Sequence, residues 1–476
     1  MTRKLSLATV LSTCFVLQLA HAQSTFGDLR GTTRDPTGLA LAQAEVTVHS
    51  IDSNTDRKII SGGDGSFAVE NLLPGHYQLI AAKEGFQNSP ATKVELSARQ
   101  SLRVDITLAL AEQTQTVEVN SAAEQVNTEN GVIGDSKGTG QIAQLPLNFR
   151  AATSSPLAAL STSPNVQQDS QGNIALSGAT ANMVGYSVDG ISTANVFQSN
   201  ASVNPYPSVE GIAELKVTAF NNSAEFSQVG DVTFTTKGGT NNYHGSLFEY
   251  LQNDVLDAKV LNFNEKAPKR FNTFGGSIGG PLSIPKLYDG HNKTFFFFDY
   301  EGNRKRTSQA EQYLVPTAAE RNGNLNGLAL PNNALLNPTT KQPYANNTIP
   351  VSQLNASALT LLNSYYPLPN VASGGGSFNY ENLQPIPSSA NGFDGRIDQV
   401  INSKQQLYAR FNWKNLLTNV ANPLLPNDVD NEHDRSFLIS HNYVISPNLL
   451  NEFRFGFTHT LLAPNFPIEG AAAISQ

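Results

Sequence analysis

The 476-residue chain sets 31 Lys and Arg against 39 Asp and Glu, for a formal net charge of −8, and only 15% of its residues are charged. That acidic balance argues against a nucleic-acid binder, whose phosphate contacts need a basic face. The 36 Gly, 25 Pro, 25 Phe and 14 Tyr, against 2 Met and 1 Trp, make a poor helical bundle and suit an all-β protein with many turns. At roughly 150 residues per domain the length predicts about three domains. No run of 18 or more apolar residues occurs, which excludes a transmembrane helix but not a membrane β-barrel, whose strands alternate.

Residues 1–22 read as an export signal. Arg3 and Lys4 are the positive start, Leu5 to Leu19 the apolar stretch, and Ala20-His21-Ala22 an A-x-A cleavage site. Cleavage before Gln23 removes two positive charges and no negative ones, taking the net charge from −8 to −10. It also removes Cys14, the sole cysteine. Leu11 to Cys14 offers a lipoprotein box as an alternative, but Thr13 is bulky for that position. A cysteine-free exported chain fits a bacterial envelope protein better than a disulfide-dense secreted scaffold.

Residues 23–110 show short alternating tracts. Leu102, Val104, Ile106 and Leu108 alternate with Arg103, Asp105 and Thr107, and Ala44, Val46 and Val48 with Glu45 and Thr47. Asp64-Gly65 and Pro74-Gly75 are turn signals, as is Asp35-Pro36-Thr37-Gly38. About seven strands with one apolar face each predict a two-sheet sandwich. The run GDLRGTTRDPTGLALAQAEVTVHS with GDGSFAVENLLPGHYQLIAAKEGF resembles the carboxypeptidase regulatory-like domain, which implies an Ig-like or prealbumin-like β-sandwich. No H-x-x-E or H-E-x-x-H is present in it, and His49 and His76 read as solvated, so no catalytic zinc is expected. Sugar binding is implied by analogy with the fold only.

Residues 111–135 are polar and read as a linker. Within them Thr116-Val117-Glu118-Val119 is a short β-prone tract of the kind that adds to the edge of a partner's sheet. It reads as a last sandwich strand, as plain linker, or, by resemblance to TonB-dependent receptors, as a TonB box. Residues 136–242 turn to small and polar composition with a short helical segment before Leu145, a strand in Tyr186–Val188 closed by the Asp189-Gly190 turn, and strands at Ile212–Ala219 and Val232–Thr236. The run from NSAEF through TKGGTNNYHGSLFEY resembles the junction of plug and barrel in TonB-dependent outer-membrane receptors of the Oar-like type, implying an α+β plug. Asp189 lacks an obvious catalytic partner, and its turn accounts for it.

From residue 243 period-two alternation dominates. Phe453, Phe455 and Phe457 alternate with Glu452, Arg454 and Gly456; Leu407, Ala409, Phe411 and Trp413 with Tyr408, Arg410 and Asn412. Phe393 and Ile397 alternate with Asp394, Arg396 and Asp398, and Phe437, Ile439 and Tyr443 with Ser436, Ser440 and Asn442. Lipid-facing aromatics opposite lumen-facing polar groups are what a barrel strand requires. With Tyr243–Leu251, Phe271–Gly280 and Thr294–Gly302 this makes seven strands. Outer connections fall at roughly 252–269, 303–391 and 414–434, inner ones at roughly 281–293, 401–404 and 445–450. Every outer connection is then longer than every inner one, as outer-membrane barrels demand. A Gly-rich phosphate loop fails at Gly279-Gly280-Pro281-Leu282, which opens no helix and lacks the Lys-Ser/Thr pair. Plugged transporters have about 22 strands, whereas 234 residues follow residue 242. The sequence therefore reads as the N-terminal fragment of a longer receptor, with the first seven strands of an incomplete antiparallel barrel.

The resemblance implies an outer-membrane receptor that takes up a large substrate, such as an oligosaccharide, peptide or siderophore, with energy delivered by a periplasmic TonB-type partner. It implies no cofactor. The long outer loop, with Tyr313, Tyr344, Tyr365, Tyr366 and Tyr380, is the expected substrate-facing region, where the rings stack on a sugar, pack on a peptide, or simply hold the loop together. The alternative is a non-transporting surface protein in outer-membrane lipid whose sandwich binds carbohydrate or a protein. An enzyme is not expected, because the histidines are scattered and no metal spacing occurs.

Overall fold

In the computed structural model the described residues are 24–111, 129, 131–145, 155–168, 173–195, 200–201, 205–222, 228–259, 261, 266–330, 334–371, 378–421, 427–446 and 449–465. The export signal and the Thr116–Val119 tract lie outside them.

The N-terminal part is a sandwich of two four-stranded sheets. One has the order β4-β1-β7, with β8 also on β1; the other is β3-β2-β5-β6. The strands are β1 (Gly27–Arg34), β2 (Glu45–Ser50), β3 (Thr55–Ile60), β4 (Ser66–Leu72), β5 (Gly75–Ala82), β6 (Thr92–Leu96), β7 (Ser101–Arg103) and β8 (Ile106–Thr107). Alternate residues of both inner faces meet in one core, with Leu29, Val46, Leu79, Leu96 and Leu108 at 0–1% exposure. The sequence predicted one strand through Leu102–Leu108. The structure divides it at Val104-Asp105, because the Asp105 carboxylate accepts from the Thr32 amide and hydroxyl, both at 2.9 Å. The inward alternation survives the break, with Val104 buried at 4%.

The middle part is a five-stranded sheet, β13-β12-β17-β16-β9, built from β9 (Ile133–Gly138), β12 (Val184–Val188), β13 (Ile191–Ser192), β16 (Ile212–Phe220) and β17 (Gly230–Thr236). Two small ribbons accompany it: β10 (Val166–Gln168) with β11 (Ile174–Leu176), and β14 (Ala194–Asn195) with β15 (Asn200–Ala201). β9 starts at Ile133, inside the segment read as linker. The expected helix is present at Thr139–Gln144. β17 is buried along its whole length. Val232 and Phe234 enter the apolar core with Leu160, Tyr206 and Leu215, while Asp231 and Thr233 point to the other face.

The C-terminal part is one antiparallel sheet in the order β18-β19-β20-β22-β23-β24-β25, with β21 paired to the outer end of β20. Its strands are β18 (His244–Asn253), β19 (Lys269–Pro281), β20 (Thr294–Tyr313), β21 (Tyr380–Pro385), β22 (Ser388–Asn402), β23 (Gln405–Val420), β24 (Asp428–Ser446) and β25 (Leu449–Asn465). The seven expected strands all form. Among the described residues the sheet is open, since β18 and β25 have one neighbour each. No helix among the described residues is long and apolar enough to cross a membrane; strands supply the crossing element.

The facing of side chains follows the sequence pattern. Phe453, Phe455 and Phe457 are 54–55% exposed, while Arg454 is buried at 8%. The expected sorting of loops does not survive intact. The observed outer connections are 254–268, 314–387 and 421–427, and the inner ones 282–293, 403–404 and 447–448. The outer connection 421–427 is therefore shorter than the inner one 282–293. β23 and β24 run for 16 and 19 residues, or about 50–60 Å at 3.3 Å per residue, against an apolar band about 25 Å tall. The chain leaves the membrane here as paired strand rather than as loop.

Candidate functional site at the seam of plug and barrel

The five-stranded sheet seats against the lumen face of the barrel sheet through buried charges. Asp189 occupies the two-residue turn between β12 and β13 with φ +49°, followed by Gly190 at +77°, the geometry of a type I′ hairpin. Its carboxylate accepts from the Thr236 amide at 2.9 Å and hydroxyl at 2.7 Å, and meets the Arg410 guanidinium of β23 at 2.9 Å. Both side chains are 1–2% exposed. The turn reading of Asp189 was right about the backbone and missed this ion pair. Arg410 was legible as lumen-facing, but its partner was not.

Neighbouring contacts complete the seam. Arg396 donates to the Thr236 carbonyl at 3.0 Å and its hydroxyl at 3.1 Å, pairs with Asp398 at 2.7 Å, and lies 4.1 Å from the Tyr408 ring centroid. Asp299 accepts from the Ser208 hydroxyl at 2.7 Å, and Asp394 from the Ser208 amide at 2.9 Å. A side chain at Gly211 would place its Cβ 2.6 Å from Asp299 Oδ2, so the two carboxylates need glycine there. At the junction itself a Cβ on Gly239 would lie 2.3 Å from the Phe296 carbonyl, which explains the Lys237-Gly238-Gly239 tract. Phe295 and Phe297 point inward at 1–3% exposure while Phe298 is 42% exposed, so the phenylalanine run divides between plug and lipid.

The sandwich closes the same region from the inner side. Asn54 donates to Asn292 at 2.7 Å, the Asn241 amide to the Asp52 carbonyl at 2.8 Å, and Asn442 to the Asn71 carbonyl at 3.1 Å. A cavity of about 630 Å³ remains where sandwich, plug and barrel meet, lined by Asp52, His76, Thr235, Lys237, Arg396 and Ser440 among others. The hydrogen bond to Asp52 raises the His76 pKa above its ordinary 6.5. The two sandwich histidines, His49 partly buried and His76 exposed, sit beside carboxylates, His49 with Asp56 at 2.7 Å and His76 with Asp52 at 3.3 Å. No group of three or more His, Cys, Asp or Glu among the described residues is arranged to hold a metal.

The tyrosines of the long outer loop are placed by different elements. Tyr313 and Tyr380 are register partners of β20 and β21. Tyr313 donates to Glu311, and Tyr344 to Gln353 at 2.7 Å. Tyr365 and Tyr366 end the helix Ala356–Tyr365. Sequence reading missed the organiser of this loop, Arg321, which donates to the carbonyls of Pro316 (3.1 Å), Leu362 (3.4 Å), Tyr366 (2.8 Å) and Pro367 (2.5 Å) and to Asn363 (3.2 Å). Nothing in its local spacing signals that role. Hydrogen bonds to a charged donor are worth about 1.5–3 kcal/mol. Arg321→Ala is therefore expected to speed proteolysis within 314–371 while the barrel sheet keeps its circular dichroism; equal cleavage rates would refute the role.

A family model described as an outer membrane beta barrel domain matches residues 235–475, and one described as a carboxypeptidase regulatory-like domain matches 28–109. The chain is 27% identical over 262 residues to the TonB-dependent transporter Oar of Myxococcus xanthus, covering 52% of this chain and 24% of that protein. It thus spans about a quarter of the length of that relative. Among solved structures it is similar to the ferric enterobactin receptor of Pseudomonas aeruginosa, with TM-score 0.40 and 12% identity over 70% of this chain and 42% of that one. A 3-chlorocatechol 1,2-dioxygenase from Rhodococcus opacus matches 19% of this chain and 62% of its own, with TM-score 0.17 and 13% identity.

Proposed function

We propose that this chain, which belongs to the outer-membrane β-barrel family and carries a carboxypeptidase regulatory-like domain, works in TonB-dependent uptake of a large substrate across the outer membrane. The observation that carries the reading is the buried Asp189–Arg410 seam between a separate sheet and the lumen wall of the barrel. A channel occluded by a part held through ion pairs, rather than by a continuous apolar core, is suited to opening under load. Likeness to a TonB-dependent transporter supports the same view. Substrate would meet the outer loop around Tyr313, Tyr344, Tyr365, Tyr366 and Tyr380, and the partner would engage Thr116–Val119. Contacts of the sandwich at Asn292 and Asn442, on the inner side, favour transport over display of the sandwich at the cell surface.

The test needs no known substrate. In a Cys14→Ala background the chain has no other cysteine, so Val117→Cys gives a single thiol. It is expected to cross-link to a cysteine-bearing TonB periplasmic domain, and deletion of residues 116–119 is expected to abolish co-purification. Co-purification undiminished by the deletion would sink the assignment of the box.

A further inference from the structure

The outward face of the barrel sheet changes chemistry at one level. Going outward, the last aromatic side chain of that face is Phe274 on β19, Tyr300 on β20, Phe393 on β22, Trp413 on β23, Phe437 on β24 and Phe457 on β25. Phe274 lies 6.3 Å from Tyr300, Tyr300 4.9 Å from Phe393, and Phe393 5.2 Å from Trp413. Such a girdle marks the bilayer interface.

Beyond it arginines stand at outward positions of three of these strands, β19, β20 and β24. Arg304 follows Tyr300 on β20, and Arg435 follows Phe437 on β24. Arg304 is held by the carbonyls of Asn303 (2.8 Å) and Ala390 (2.7 Å), by Asn391 (2.8 Å), and over the Phe274 ring at 5.7 Å. Arg435 lies 4.7 Å from the Trp413 centroid. One step further, Arg270 and Arg306 are register partners on adjacent strands, both exposed. Among the described residues neither side chain has an ion-pair partner. Like charges placed opposite one another destabilise a sheet, and among the described residues no carboxylate relieves this pairing. The acids of β24 face away from it. Asp430, Glu432 and Asp434 share the lumen-facing parity of buried Ser436, while His433 and Arg435 face outward. On β18 the outward acid, Glu249, is level in register with Phe274, below the arginines.

We propose that Arg270, Arg304, Arg306 and Arg435 bind the phosphate groups of an outer-leaflet glycolipid. Guanidinium groups match phosphate bidentately, and the patch sits on the outer wall against the aromatic girdle, where headgroups lie and a substrate in the lumen does not reach. The inference requires the barrel in its membrane and is independent of transport.

The full chain, extracted in detergent, would be titrated by native mass spectrometry with bis-phosphorylated lipid A, the same lipid dephosphorylated, and inorganic phosphate. Lipid A is expected to bind, dephosphorylated lipid to bind at least about tenfold more weakly, and inorganic phosphate not to compete. Arg270→Gln with Arg306→Gln is expected to lower lipid A affinity about tenfold with unchanged circular dichroism, and Lys341→Gln, on the outer loop, to leave it unchanged. Equal binding of the two lipids, displacement by phosphate, or an unaltered double variant would each overturn the proposal. Should the double variant not fold, the comparison of the two lipids on the unmodified chain still decides.

Discussion

Replacing Asp189 with alanine is expected to weaken seating of the plug sheet by about 3–5 kcal/mol, the cost of leaving a buried partner charge unpaired. Arg410 is 2% exposed and would lose its ion-pair partner while keeping a 3.3 Å hydrogen bond to Ser436. The Thr236 amide and hydroxyl would lose their acceptor as well. Asp189→Asn separates two roles of this position. Asparagine tolerates the left-handed turn and still offers one acceptor, so it removes charge while sparing the backbone, and a smaller loss is expected. Arg410→Met in the Asp189→Ala background should recover part of the loss, because a packed apolar side chain replaces an orphaned cation. The readout is the labelling rate of Val232→Cys in the Cys14→Ala background, since Val232 is fully buried in the plug core. The labelling rate should rise about a hundredfold or more in Asp189→Ala. An unchanged rate would show that the ion pair does not hold the plug.

The second large effect is expected at the contact of sandwich and plug. Arg99 pairs with Asp231 at 2.9 Å, with side chains 10% and 1% exposed, and donates to Thr218 at 3.2 Å. Beside it the Ala98 amide donates to Glu214 at 2.7 Å, and Lys216 donates to the Ala98 carbonyl. Arg99→Ala leaves the Asp231 carboxylate buried without its cation, again about 3–5 kcal/mol. Hydrogen exchange at residues 97–100 should accelerate accordingly while exchange in the sandwich core does not. Lys216 adds a pH signature. Burial lowers its pKa from 10.5 to about 8, so between those values the undocked state binds more protons than the docked one. Stability of the contact therefore rises with pH across that window. A contact that weakens between pH 8 and 10 would contradict this, and Lys216→Met should flatten the dependence.

Much of the architecture was legible from adjacent residues. Alternation in β23 and β25 assigned Phe411, Trp413, Phe453 and Phe455 to the lipid side and Arg410, Asn412 and Arg454 to the lumen, and the structure keeps each assignment. Strand facing is a local property, because successive side chains of a pleated strand must point to opposite sides. The Asp189-Gly190 turn was legible for the same reason: two consecutive positive-φ residues carry their own signature. Loop lengths were less so. Where β23 and β24 stop depends on how far their backbones continue to pair, which the composition of 414–434 does not reveal.

The sequence by itself thus determined an all-β protein with a sandwich and membrane-facing strands, because periods of two and turn residues act over a few positions; the plug was implied by resemblance to TonB-dependent receptors. Only the tertiary structure decided that Asp189 answers Arg410, that Arg99 answers Asp231, and that Arg321 gathers the carbonyls of the outer loop. These partners are far apart along the chain, and many acids and bases were available to each. Which of them meet is settled by the packing of sheet against sheet, where a buried charge must find a partner at its own depth.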